Sequence, residues 1–249
     1  MKGKQRSLPP ASGGWPILCL VGWLVTQSIS FLKCTKAGSM KLTIRPLTPT
    51  RWPAFEDLFG KPGACNGCWC MYWRIGSAYH KRPREKNKAA FRRIVKRGPP
   101  PGLLAFDGDM AVGWCQLTPR GMLPWLDDSW LLKRVDDVPV WSISCFYVRR
   151  GYRRRRVMSV LIAAALKVAK QANAPALEAY PVDKDAPKST SNIFTGTAST
   201  FARAGFKPVA CRLPHRPIMR HDLKAIMRTS KSESRTGLTF DVGSMMFHT

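Results

Sequence analysis

The chain is short of acid. Its 15 aspartates and glutamates stand against 41 lysines and arginines, and its 249 residues carry a net charge of +26. Such a surplus draws a protein to polyanions: nucleic acid, a membrane surface or a phosphorylated cofactor. A disulfide framework is also missing. The eight cysteines (Cys19, Cys34, Cys65, Cys68, Cys70, Cys115, Cys145 and Cys211) do not follow the spacing of a small secreted scaffold, and 45% hydrophobic residues are enough to build a core without one. A reducing, cytoplasmic setting is the expectation. The segment GACNGCWC places three thiols at C-x-x-C-x-C spacing, with His80 the nearest fourth donor. The second pair that marks a zinc site is absent, so no metal is expected.

An unbroken apolar run of membrane-spanning length is lacking too. The basic start at Lys2, Lys4 and Arg6 leads into WPILCLVGWLV, which stops at Thr26, Gln27 and Ser28 with no small-x-small cleavage site after it. Residues 1–39 read as a signal-like or anchor-like piece, as an unstructured extension, or as the result of a start really at Met40. The latter two are preferred, and a membrane partner is not expected. Residues 228–249 are polar with little to bury, and read as a flexible tail. That leaves 40–227 as one domain.

The organising stretch is Val140 to Val168. VWSISCFYV is β-branched and aromatic, which predicts a strand. Val157, Leu161, Ala165 and Val168 recur at helical spacing, which predicts a helix. Between them lies a turn holding Arg149, Arg150, Arg153, Arg154, Arg155 and Arg156. A helix N-terminus carries unpaired N–H groups and the positive end of the dipole, so it is a ready phosphate site, and arginines add charge-assisted bonds.

FYVRRGYRRRRVMSVLIAAAL resembles the acyl-CoA signature of the GNAT superfamily of N-acetyltransferases: a strand, then Arg or Gln, two residues, Gly, one residue, Gly or Ala, and a helix. Arg153 takes the first position, Arg156 the first small-residue position and Met158 the second. FTGTASTFARAGFKPVA resembles the last helix and Gly-Phe strand start of the same fold, and the GCWC element is shared with a little-studied branch of the superfamily. The resemblance spans roughly Met40 to Leu223. It implies a mixed α/β (α+β) fold: a mostly antiparallel central sheet with one splayed parallel strand pair, flanked by helices. It implies acetyl-CoA as cosubstrate and a primary amine, small molecule or protein, as acceptor. The diphosphate would rest on Arg153, Arg154, Arg155, Arg156, Val157, Met158 and Ser159. A backbone N–H among Phe146, Tyr147 and Val148 would polarise the thioester carbonyl. The tyrosine that many relatives use as an acid falls on Phe201, and a common asparagine on Phe194. That leaves Glu178, or less favourably Asp183, as a base and Tyr180 as an acid; a salt-bridged structural role for Glu178 is the competing reading, as is catalysis by proximity with water relaying protons.

The remaining segments fill in the frame. KLTIRPL at 41–47 predicts an edge strand, and Thr48 or Thr50 a cap for a helix over Trp52 to Phe59. Trp69, Tyr72 and Trp73 offer flat walls for the acceptor pocket or a plain packing cluster, and Arg74 is placed to hold an acidic group. His80 to Arg97 predicts a basic helix. Leu103–Phe106 and Ala111–Leu117, joined by Asp107-Gly108-Asp109, predict a hairpin. Residues 118–138 hold four aspartates, either as a surface loop or as an attractor for a cationic amine. Ala176 to Val182 predicts a strand parallel to 140–148; Phe194 to Ala204 a last helix; and 206–213 with 218–223 a closing hairpin. Two rivals remain open: a nucleic-acid-binding protein using the same arginines, and a non-catalytic acyl-CoA-binding relic of the superfamily.

Overall fold

The computed structural model describes residues 41–183, 185–186 and 193–223. In order the elements are β1 (Thr43–Pro46), α1 (Trp52–Phe59), α2 (Tyr72–Ile75), α3 (Arg84–Arg97), β2 (Gly102–Asp107), β3 (Met110–Pro119), α4 (Trp125–Asp128), β4 (Trp141–Val148), α5 (Val157–Gln171), β5 (Ala176–Ala179), α6 (Ala198–Arg203), β6 (Lys207–Ala210) and β7 (Ile218–Asp222). The seven strands form one sheet in the order β1-β2-β3-β4-β5-β7-β6. Only β4 and β5 run parallel, because α5 carries the chain back over the sheet between them. The fold is therefore the mixed α/β sheet, mostly antiparallel with one parallel pair and flanking helices.

Alternation along β2 divides the core. Leu103 and Ala105 face α5 and α6, whereas Leu104 and Phe106 face α1, α3 and the cysteine-bearing loop. The hairpin turns where Asp-Gly predicts it, with Gly108 at φ +58°. Gly205, at φ +87°, ends α6 in the C′ position.

Several boundaries differ from expectation. Neither Thr48 nor Thr50 caps α1. A 3-10 turn over Pro49–Arg51 intervenes, and the two hydroxyls bond each other at 2.8 Å. The basic helix begins only at Arg84, since Pro83 sits at its N-cap. The strand expected over 176–182 stops at Ala179. Pro181 has no N–H to continue a ladder, and Val182 instead forms an isolated bridge with Thr197, donating to Gly196 O at 3.0 Å and accepting from Ala198 N–H at 2.9 Å. Gly196, at φ +85°, delays the last helix to Ala198. The N-terminal extension with its apolar run and the C-terminal tail lie outside the described residues. Among the described residues no helix is long and apolar enough to cross a membrane.

Candidate active site

β4 and β5 pair over three positions only: Trp141↔Leu177, Ser142↔Glu178 and Ile143↔Ala179. Beyond Ile143, β4 continues alone on that edge to Val148, while its other edge stays on β3 as far as Gly113↔Val148. The register shifts here. Gln116 faces Cys145 and Leu117 faces Ile143, so Ser144 is the extra residue of a bulge. The bulge explains how Ile143 and Phe146, three residues apart, both pack on the α5 face. Backbone alternation then settles which amides look into the gap. Arg149 N–H donates to Val112 O on β3 at 2.9 Å, so Tyr147 also turns to β3 and the N–H groups of Phe146 and Val148 point to the open edge. Val148 O shows the same direction, accepting from Arg153 Nε at 3.4 Å.

The arginine turn closes this gap at one end. Arg154 (φ +62°) and Arg156 (φ +61°, the N-cap of α5) are left-handed. An L-residue spends roughly 1–2 kcal/mol there that glycine does not, which gives a backbone reason for a small residue at the position Arg156 occupies. The first helical bond is Val160 N–H to Arg156 O at 3.1 Å, so Val157, Met158 and Ser159 keep their N–H groups without an intrahelical acceptor. Arg149 is not part of the corner: it pairs with Asp57 at 2.5 Å. Arg155 lies over the ring of Tyr152, 5.7 Å from its centroid. Arg150, Arg154 and Arg156 are exposed, and their side chains have no hydrogen bond or ion pair among the described residues.

On the other face, the cysteine-bearing loop is bolted to the bulge. Gly63, Ala64, Asn66, Gly67, Trp69 and Cys70 all have positive φ, four of them non-glycine, a concentration of strain that the surrounding structure must hold in place. Trp73 Nε1 donates to Ser144 O at 2.8 Å, Ser144 Oγ to Gln116 Oε1 at 3.0 Å, and Trp114 Nε1 to Cys70 Sγ at 3.0 Å. Asn87, fully buried on α3, donates to Gly67 O and Tyr79 O. A cavity of about 300 Å³ remains between this loop and the open half of β4. A wider cleft of about 700 Å³ lies between α1 and α3, but no β4 residue lines it; only the smaller space borders the open half of β4.

Tyr72, Trp73, Phe146 and Tyr147 line that cavity. Trp69 does not. Its left-handed backbone turns the ring onto Trp52 and Phe59, at centroid distances of 6.2 and 5.6 Å. Glu178 and Tyr180 are not among its lining residues either. Glu178 is 1% exposed, held by Arg120 at 3.4 Å and Arg220 at 2.7 Å. Tyr180 is fully buried against Arg120 and Ser142, each at 2.8 Å, and burial raises its phenol above the ordinary value. Both carboxylate oxygens of Glu178 are engaged, so this placement gives it a structural part rather than that of a base. Phe201 is core, packed edge-on to Phe206 at 5.1 Å.

Sequence reasoning passed over Tyr79, Gln116, Cys145 and Phe194 as walls of this cavity, and it left Cys65, Cys68 and Cys70 without a place there. The spacing Cys65-Cys68-Cys70 was the one available signal. Burial pushes Cys68 up to about 12, so it stays a thiol. Burial likewise moves Tyr79 up to about 12. Among the described residues no group of three or more metal-binding side chains is arranged to hold an ion.

The acetyltransferase (GNAT) family model matches residues 68–190, about half of the chain. No protein of curated function matches it. Similar solved structures include a GNAT-family acetyltransferase from Listeria monocytogenes (15% identity, 76% of this chain and 99% of that one, TM-score 0.44). Two others are the PaiA N-acetyltransferase of Thermoplasma acidophilum in complex with coenzyme A (16%, 74% and 99%, 0.42) and YncA, a putative acetyltransferase of Salmonella typhimurium with its cofactor acetyl-CoA (13%, 74% and 94%, 0.43). With its family match spanning β4, the arginine turn and α5, the chain belongs to the GNAT acetyltransferases.

Proposed function

We propose that the protein transfers an acetyl group from acetyl-CoA to a primary amine. The observation that carries this reading is the parted β4–β5 pair, with its unpaired amide edge running into a turn whose Arg150, Arg154 and Arg156 have no acidic partner among the described residues. The residues present suit the cosubstrate. The free N–H groups of Val157, Met158 and Ser159, with the side chains of Arg153, Arg154 and Arg156, suit a diphosphate. Arg155 serves from its stacked position on Tyr152. The edge amides suit an extended amide-bearing arm.

Acetyl-CoA supplies the activated acyl group as a thioester. The N–H groups of Phe146 and Val148 sit where negative charge develops on the carbonyl oxygen; losing one such donor typically costs roughly a hundred- to thousandfold in rate. Tyr147, facing β3, instead contributes its ring to the cavity wall. The amine enters past Tyr72 and Trp73, the C–N bond forms, the C–S bond breaks, and a proton passes from the amine to the departing sulfur. Tyr79, beside His80 with ring centroids 3.8 Å apart, lines the cavity and carries a hydroxyl proton that burial holds on, and we assign it to proton delivery. Thiol release from acetyl-CoA over an amine panel tests the reading. The full chain is expected to release thiol only in the presence of an accepted amine, and Tyr79→Phe to lower kcat more than KM. No release with any amine, together with no calorimetric binding of CoA, overturns it.

A further inference from the structure

The charged residues that the sequence offered to an acceptor lie outside the cavity. In the 118–138 loop, Asp127 is taken by Arg120 at 2.6 Å and Arg134 at 3.2 Å, and Asp136 by Arg220 at 2.6 Å. Asp128 and Asp137 have no ion pair among the described residues, but none of the four aspartates is a wall residue. Asp183, the second candidate base, is not one either. Nor is Arg74, the candidate partner for an acidic group; it donates to Met122 O at 2.9 Å. What lines the cavity is aromatic and poor in charge. Of fifteen described wall residues, seven are Phe, Tyr or Trp, four are cysteines, and none is Asp, Glu, Lys or Arg. Burial raises the thiols of Cys65, Cys68 and Cys70 and the phenol of Tyr79, so none of these adds an anion. The Gln116 amide is engaged already, accepting from Ser144 Oγ at 3.0 Å and donating to Cys70 O at 3.4 Å. A carboxylate or a spare ammonium taken into this space finds no opposite charge, and an unpaired buried charge is costly.

The rings also set the shape. Tyr72 meets Trp73, Tyr79 and Phe194 edge-on, at centroid distances of 4.6, 5.8 and 6.0 Å, and all four rings are walls. The space they help to bound, about 300 Å³, is at the small end for a ligand pocket. We propose that the acceptor is a small aromatic primary amine with no acid group and no second ammonium. This rests on the acetyl-transfer reading above and narrows it. The guest ring continues the edge-to-face array of the wall. Its nitrogen, the one strongly polar atom, is directed to Phe146 on the open half of β4, where the thioester is placed. The bonds made and broken are those given above: the nitrogen takes the acetyl group, and CoA leaves as the thiol with the proton from nitrogen.

The test measures thiol release by the full chain with acetyl-CoA and matched amines: benzylamine against its ring-carboxylated form, hexylamine and diaminohexane, and aniline against aminobenzoate. The acid-free aromatic amine is expected to lead its carboxylated partner and the diamine by about tenfold or more in kcat/KM, mainly through KM. Its lead over hexylamine is expected to be about threefold or more. Whether aniline or benzylamine is used faster tells a nitrogen on the ring from one on a side arm. Phe194→Ala removes a wall ring and is expected to narrow the lead of the aromatic amine over hexylamine by raising its KM. If that variant does not fold, the wild type still decides: benzyl alcohol is expected to compete with the amine, and benzoate to compete about tenfold more weakly. CoA binding by calorimetry separates the two claims. Normal CoA binding with a carboxylated amine, the diamine or hexylamine used as well as the aromatic amine, or with no aromatic amine used, overturns the acceptor class. Absent CoA binding overturns the enzyme reading itself.

Discussion

The two halves of β4 treat charge in opposite ways. Where β4 pairs with β5, three acidic groups are held by arginines: Glu178 by Arg120 and Arg220, Asp127 by Arg120 and Arg134, Asp136 by Arg220. Where the strands part, Arg150, Arg154 and Arg156 crowd the end of the gap with no acidic partner among the described residues. The chain has few acids, and it concentrates several of them at the closed end. What remains at the open end is a standing demand for an anion. The closed half is a clamp that sets the angle of the gap, and the open half is the part we assign to binding.

If that division is right, breaking the clamp will harm folding and spare recognition. Glu178→Gln leaves Arg120, only 4% exposed, without its buried carboxylate. Because Arg120 keeps Asp127 and Arg220 keeps Asp136, the loss is expected to cost about 1–3 kcal/mol, read by urea denaturation, while CoA affinity of the folded fraction stays within error. The converse change belongs to the open half. Arg156→Gln is expected to weaken CoA binding by about tenfold, the value of one exposed charge-assisted bond, to lower its salt dependence, and to leave the denaturation midpoint nearly unmoved. Calorimetry at two ionic strengths reads both.

Arg156 also allows charge and backbone to be told apart. Arg156→Gly releases the left-handed strain and should raise stability by about 1 kcal/mol, although it loses the same guanidinium as the glutamine variant. A smaller effect appears with pH. Burial alone would lift the Asp127 carboxyl, but Arg120 and then Arg134 hold it below its ordinary value. Its contribution is therefore complete above the usual carboxylate range and is lost as pH falls through the depressed folded value. Asp127→Asn should make the acid limb of the stability curve shallower, as measured by melting midpoints at stepped pH.

The same contrast explains what the sequence made legible. The open half was readable because its signals are local: a β-rich run, a cluster of arginines and a 3.6-residue repeat stand consecutively at 140–168, and Asp-Gly marks the neighbouring hairpin. The closed half was not. Arg120, Glu178 and Arg220 are far apart in sequence, and no periodicity announces that they meet. Glu178 and Tyr180 are titratable groups at a strand end, and only the fold shows their atoms engaged in a buried network. The early end of β5 follows from Pro181, a single residue outweighing an apolar run. The bulge at Ser144 and the left-handed backbone that turns Trp69 away from Tyr72 and Trp73 are matters of register and φ, which composition does not carry.

The central claim is that one short face, the amides of Phe146, Val148, Val157, Met158 and Ser159, holds the cosubstrate. Hydrogen–deuterium exchange on the full chain with and without CoA tests it most directly. The account predicts protection concentrated in peptides covering 146–148 and 157–159, with the peptides of Glu178 and Arg220 unchanged. Binding with no protection at 146–148 and 157–159, or with protection confined to the cleft between α1 and α3, would contradict it.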